Sequence, residues 1–164
     1  EVPSILVTAG KLNARKLHLE QARFLEKALE VERKLLGADS PSVCKIEGSL
    51  IDGYISLRNF PAVRPLLLHI CSVTEKELDT SPEDYIRALA RLGQFDLDQS
   101  RLKEAESELK KALDLVKEKK VNKELQVLLM RSWADILNQT NRQKESQETL
   151  KKADALEKTA TDLP

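Results

Sequence analysis

The stretch EAESELKKALDL, residues 104 to 115, places Ala105, Leu109 and Ala112 at i, i+4 and i+7, a spacing that sets all three on one face of a helix. The same spacing returns at Gln21, Leu25 and Ala28, at Val63, Leu67 and Ile70, and at Ser146, Leu150 and Ala153. The last members of these triplets, Ala28, Ile70, Ala112 and Ala153, lie 42, 42 and 41 residues apart. A period this regular implies stacked copies of one supersecondary unit.

Upstream of each of the last three triplets a second apolar helical face is present: Leu50 and Tyr54, Leu89 and Leu92, and Met130, Trp133 and Leu137. Each unit therefore reads as a helical hairpin. The polar breaks Arg58-Asn59, Gln99-Ser100 and Thr140-Asn141 close the hairpins, their side chains suiting turns and N-caps. Small residues at Gly93, Ala112, Ala134 and Ala153 suit close helix approach, since interaxial distances of roughly 8 to 10 Å require small contact residues. Linkers between units are expected at Gly37 to Pro41 and at Asp79 to Pro82, where Ser40 and Ser81 precede proline. The third boundary, near Val121 and Asn122, carries neither Pro nor Gly and is compatible with longer helices or a tight turn.

With the hairpins in place, the pattern resembles the tetratricopeptide (TPR) signature. Leu92-Gly93 followed by Ala105, Leu109 and Ala112 is the best match. Leu50, Tyr54, Phe60, Val63, Leu67 and Ile70 form a second, and Trp133-Ala134, Leu137, Leu150 and Ala153 a third. The first unit, with Ala9 and Leu12 and then Gln21 where the family prefers Ala, reads as a degenerate terminal repeat. A period of 42 resembles the long-loop repeats of kinesin light chains and bacterial relatives. The linker Leu36-Gly37-Ala38-Asp39-Ser40-Pro41-Ser42-Val43 is similar to their Leu-Gly-x-Asp-His-Pro-x-Val, with Ser40 in place of the histidine. The resemblance implies an all-α fold, a right-handed alpha-alpha superhelix (TPR solenoid) of about four helical hairpins. It would form a single domain over residues 1 to 164, with repeats near 2–36, 42–78, 82–119 and 122–159.

One departure concerns Pro61 and Pro65, both near the start of the second hairpin's second helix. Proline inside a helix removes a hydrogen bond at a cost of roughly 3 kcal/mol, so this helix should start late or kink. A tolerated kink is the plain reading; a reshaped binding face is the functional one.

In such solenoids the first helices line a concave surface, and residues one position off the packing stripe project into it. By this register the candidates are Lys45, Ser49 and Asp52; Arg87, Arg91 and Gln94; and Arg131, Asp135 and Asn138. Arg87, Arg91 and Arg131 suit an acidic peptide or a C-terminal carboxylate, because a guanidinium binds carboxylates bidentately. The plain alternative is a solvated helix face. The Lys and Asn set with which chaperone-binding TPR proteins clamp a terminal carboxylate is missing, since Gly48, Ala90 and Ser132 stand at those positions.

The implied function is a non-catalytic scaffold for a peptide or protein, with no cofactor and no metal. Gly48 to Gly53 has the spacing of a phosphate loop but continues with Tyr54 and lies in a helical pattern. His18 and His69 have no HExxH or Cys partner spacing and read as surface or packing residues. No serine sits in a nucleophile elbow, and the sequon Asn138-Gln139-Thr140 is best explained by chance. Lys plus Arg and Asp plus Glu are both 27, so no overall positive field draws the chain to nucleic acid or anionic lipid. Apolar runs such as Ile5 to Val7, Leu66 to Leu68 and Val127 to Met130 fall far short of the roughly 20 residues that span a bilayer.

Cys44 and Cys71 lack CxxC spacing and suggest a reducing compartment, hence a cytoplasmic location; a mature secreted or periplasmic form is the alternative. The chain begins at Glu1 without Met, which favours a fragment of a longer protein, and Glu1 to Leu12 lacks the polar coat of a terminal cap. A preceding repeat or neighbouring domain is therefore expected, whereas Gln143 to Lys158, rich in Lys, Glu and Gln, suits a cap in water. The rival reading is self-assembly, including a homodimer through exposed repeat ends. The Lys103 to Lys119 segment does not sustain a coiled coil, since its apolar stripe stops near Val116.

Overall fold

A computed structural model describes the backbone of residues 2–161 and the side chains of residues 14–159. The described residues form seven α-helices and no strand: α1 (Val2–Leu36), α2 (Pro41–Ser56), α3 (Phe60–Glu75), α4 (Pro82–Asp98), α5 (Leu102–Glu118), α6 (Lys123–Gln139) and α7 (Gln143–Thr161). The chain divides into two compact units, Glu1–Val73 and Thr74–Pro164.

The three expected hairpin turns share one backbone geometry. Arg58, Ser100 and Asn141 adopt left-handed φ values of 59°, 60° and 61°, and they are 42 and 41 residues apart. In each turn the amide of the following residue reaches back to a carbonyl five residues earlier: Asn59 N to Tyr54 O at 2.8 Å, Arg101 N to Asp96 O at 2.8 Å, and Arg142 N to Leu137 O at 2.7 Å. This is the Schellman closure, which satisfies carbonyls the helix end would otherwise orphan. The polar residues thus serve the left-handed position that ends the first helix of each hairpin. The Arg101 side chain makes no N-cap bond to α5.

The linkers are built differently. Ser40 caps α2, its Oγ accepting from Val43 N at 3.2 Å, with Pro41 opening the helix. Asn122 caps α6, its Oδ1 accepting from Leu125 N at 2.8 Å. The boundary without Pro or Gly is therefore an extended break, with Lys119 at φ −106° and ψ 142°. Asn122 also donates from its backbone N and Nδ2 to the Glu83 carboxylate at 2.9 and 2.8 Å.

Two expectations change. The hairpin expected over residues 2–36 is one continuous helix, α1; Ala9 and Leu12 lie outside the described side chains. No proline lies between residues 4 and 36, and Ala14 to Leu17 and Ala22 to Leu36 consist mostly of strong helix formers. The second change is that α3 begins at Phe60, ahead of both prolines, so it does not start late. Pro61 sits in the first turn, where its missing N–H costs nothing, and Pro65 is exposed.

In the first unit, Ala22 and Leu29 of α1 pack with Val43 and Leu50 of α2, flanked by Leu25, Ile46, Tyr54, Leu57 and Leu66. The Tyr54 hydroxyl donates to Glu26 Oε1 at 2.6 Å. Burial first, then this bond to a carboxylate, pushes the phenol up to about 12. Because the folded value is raised, the phenol's contribution to stability is fully present below its ordinary value near 10 and is lost as pH rises through 12. We expect Tyr54→Phe to remove that component of alkaline unfolding, checked by urea midpoints between about pH 9 and 12.

In the second unit, α4 packs on α5 and α6 on α7 as hairpins, and α6 touches both α5 and α4. The close approach of α4 and α5 depends on Gly93: a Cβ there would lie 2.7 Å from Leu109 Cγ. Ala105, Leu109 and Ala112 have no exposed surface. In the last hairpin Ser146 occupies the same stripe, and its hydroxyl donates to the Ala134 carbonyl at 2.9 Å.

Candidate binding surface

α4 is buried along two adjacent lines, Tyr85, Leu89, Leu92 and Asp96, and Ile86, Ala90, Gly93 and Leu97. What stays outside is a third line, Asp84, Arg87, Arg91, Gln94 and Asp98, in which all but Gln94 are exposed. α6 follows the same plan. Leu125, Leu129, Ser132 and Ile136, with Val127, Ala134 and Leu137, are buried, leaving Leu128, Arg131, Asp135 and Asn138 exposed. The two outer lines share the same i, i+3, i+4 spacing, offset by 44 residues, three more than the 41 that separate the helices themselves. In the first unit, Lys45, Ser49 and Asp52 are likewise exposed on α2, beside buried Val43, Glu47, Leu50 and Ile51.

The polar groups on these lines are engaged in different ways. Arg131 is tied to its own hairpin: its Nη2 donates to Glu157 Oε2 at 2.8 Å and lies 3.5 Å from Asp154 Oδ1, both on α7. Gln94 is half-buried and donates to Asp98 Oδ1 at 3.0 Å. Ser49 Oγ donates to the Lys45 carbonyl at 3.3 Å, and the Asp52 carbonyl accepts from Ser56 Oγ at 2.9 Å. Arg87 and Arg91, one helical turn apart and exposed on α4, form the basic centre of the second unit's line.

Two polar clusters were not singled out from the sequence. In the first unit Glu47 has no exposed surface and receives Arg33 Nη2 from α1 at 2.6 Å and His69 Nδ1 from α3 at 2.7 Å. Since a carboxylate only accepts, His69 Nδ1 is the donor; its Nε2 lies 3.5 Å from Asp39. Three helices are thereby tied to one carboxylate, a packing role for His69. The available signal was Glu47 itself, which stands in the apolar series Val43, Glu47, Leu50 and must find partners when buried.

In the second unit Lys111 Nζ donates to Glu75 Oε1 at 2.8 Å and to the Tyr85 hydroxyl at 2.5 Å, and the hydroxyl donates to Glu75 at 2.6 Å. The bond from Lys111 lowers the Glu75 carboxyl, and the bond to Glu75 raises Lys111. This cluster therefore contributes between the ordinary carboxylate and lysine ranges and fades on either side of them. Among the described residues no group of three or more His, Cys, Asp or Glu is placed to hold a metal ion. No helix among them is long and apolar enough to cross a membrane.

No protein-family model matches the chain, and no curated protein matches it. Solved structures do. BtubC (BKLC) from P. vanneervenii superposes with a TM-score of 0.76 at 13% identity over 91% of this chain. A Podosopora anserina protein named for kinesin light chain, with nearly identical TPR-like repeats, gives 0.77 at 16% identity over 92%. A point variant of the P. anserina protein gives 0.68 at 19% identity over 100%. The chain has the TPR-like repeat fold. The matches span 60% of the BtubC chain and 72% and 79% of the two P. anserina chains. The TPR-like fold accounts for the 42-residue period.

Proposed function

We propose that this chain is a non-catalytic scaffold that binds a peptide or protein segment along the outer lines of its first helices, with Arg87 and Arg91 receiving carboxylates of the ligand. The observation that carries this reading is the register of the two lines on α4 and α6. Touching helices present Arg87, Arg91 and Gln94 and, at one offset, Arg131, Asp135 and Asn138, a ladder along which an extended chain can be read. Lys45, Ser49 and Asp52 form a line of their own on α2 of the first unit. Arg87 and Arg91 make the ligand contacts, and Arg131, bonded to Glu157 and Asp154, lines the same ladder.

The test is fluorescence anisotropy against a panel of peptides with spaced Asp and Glu, beside scrambled neutral peptides. Loss of two charge-assisted contacts, each worth about 1.5 kcal/mol, should weaken an acidic ligand by well over tenfold in the Arg87→Ala, Arg91→Ala double variant. The affinity should also fall with added salt. Unchanged affinity in the double variant would move the site to the second helices or the loops.

A further inference from the structure

The outward face of α1 carries a line of large apolar side chains at solvent: Leu17 is 64% exposed, Phe24 73%, Val31 54% and Leu35 72%. Gln21, exposed, and Ala28, half-buried, complete the line. Positions 17, 21, 24, 28, 31 and 35 alternate steps of four and three, the seam spacing at which one helix keeps a continuous line against another. The opposite face of α1, through Ala22 and Leu29, is already packed on α2.

The repeat period shows what this open face is built for. Gln21, Leu25 and Ala28 correspond to Ala105, Leu109 and Ala112 of α5, which are fully buried where α5 meets its hairpin partner α4. On α5 the flank equivalent to Leu17 is Arg101, which meets α4 through Asp96 at 2.6 Å and the Phe95 ring at 5.3 Å. On α1 the corresponding face has no covering helix among the described residues.

We infer that a second copy of this chain covers it, the two α1 helices pairing antiparallel about an axis at Glu26. The line is its own complement in that register. Leu17 meets the partner's Leu35, Gln21 meets the partner's Val31, and Phe24 meets the partner's Ala28, so each large ring is set against a small residue. Self-complementarity of this kind is what a two-fold interface requires. The charged border agrees. Glu20 falls beside the partner's Lys34, and Lys34 beside the partner's Glu20, the flanking pairs that select orientation in paired helices. Lys27 faces the partner's Lys27 at the axis, the one unfavourable pair. This pairing uses none of the groove residues and stands or falls apart from the peptide-binding reading.

Sedimentation equilibrium of the 164-residue chain tests the inference. A reversible dimer is expected, and Phe24→Glu should raise its dissociation constant more than about 30-fold, the loss of a central anchor. Phe24 is mostly exposed, so the variant should keep the wild-type helix content. Glu20→Lys should weaken the dimer and the addition of Lys34→Glu should restore it; a parallel pair would respond to neither. A chain that stays monomeric up to about 1 mM, a dimer indifferent to Phe24→Glu, or a charge exchange that fails to restore association would each overturn the proposal.

Discussion

Gly93→Val should destabilise the second unit by more than about 3 kcal/mol, among the larger effects a single substitution produces. A Cβ at this position already lies 2.7 Å from Leu109 Cγ, 3.2 Å from Leu109 Cδ2 and 3.4 Å from the Ala105 carbonyl. Leu109 has no exposed surface and its Cγ is a branch point near the backbone, so it cannot swing aside. The two helices must separate, and fully buried Ala105 and Ala112 then lose their contacts as well. Gly93→Ala should cost about 1 to 2 kcal/mol, because overpacking outweighs the gain of up to about 1 kcal/mol from replacing glycine within a helix. Gly53 supplies the contrast. Its Cβ would sit 3.9 Å from Ala22 Cβ, an ordinary contact, so Gly53→Ala should stabilise by about 0.5 to 1 kcal/mol. Urea midpoints measure all three, and a stabilised Gly93→Ala would mean that α4 and α5 can spread without loss.

The second large effect is expected at Arg33. Removing one partner of a buried carboxylate costs about 3 to 5 kcal/mol, and since the Arg33 side chain is 42% exposed, a loss of about 2 to 3 kcal/mol is expected for Arg33→Ala. Glu47→Leu added to that variant should recover at least about 1 kcal/mol, because it withdraws a buried carboxylate that has lost its guanidinium but keeps the His69 bond, and leaves an apolar side chain in the series with Val43 and Leu50. The double-mutant cycle is thus strongly non-additive. Additive losses would show that Arg33 stabilises through its own packing and not through Glu47.

These two sites mark what the sequence reveals and what it withholds. The hairpins of α2 to α7 were legible because a helix buries positions four and three apart, and Ala105, Leu109 and Ala112 repeat that pattern at a near-constant period. The exposed lines were legible for the same reason: Arg87 and Arg91 sit one step off a buried stripe. The continuity of α1 was not legible. Period alone placed a second helix at Gln21 to Ala28, but a boundary also needs a breaker, and the weak helix formers Gly10 and Asn13 did not suffice against the residues that follow. The Glu47 cluster was hidden for a different reason. Its partners come from positions 14 residues before and 22 residues after it, and a helical period says which side chains share a face without saying which will meet across helices. Arg131 escaped in the same way, its partners lying on α7.

The three left-handed residues at Arg58, Ser100 and Asn141 have a consequence for rebuilding the molecule. One backbone corner is made by an arginine, a serine and an asparagine, so its shape is set by the helix ends and not by any one side chain. The linkers are individual: Ser40 and Asn122 cap the helices that follow them, whereas Ser81 makes no side-chain capping bond. A hairpin cut out between linkers carries its corner with it as an interchangeable part, whereas chimaeras joined at the linkers must bring along both the cap and the carboxylate it engages, as Asn122 engages Glu83.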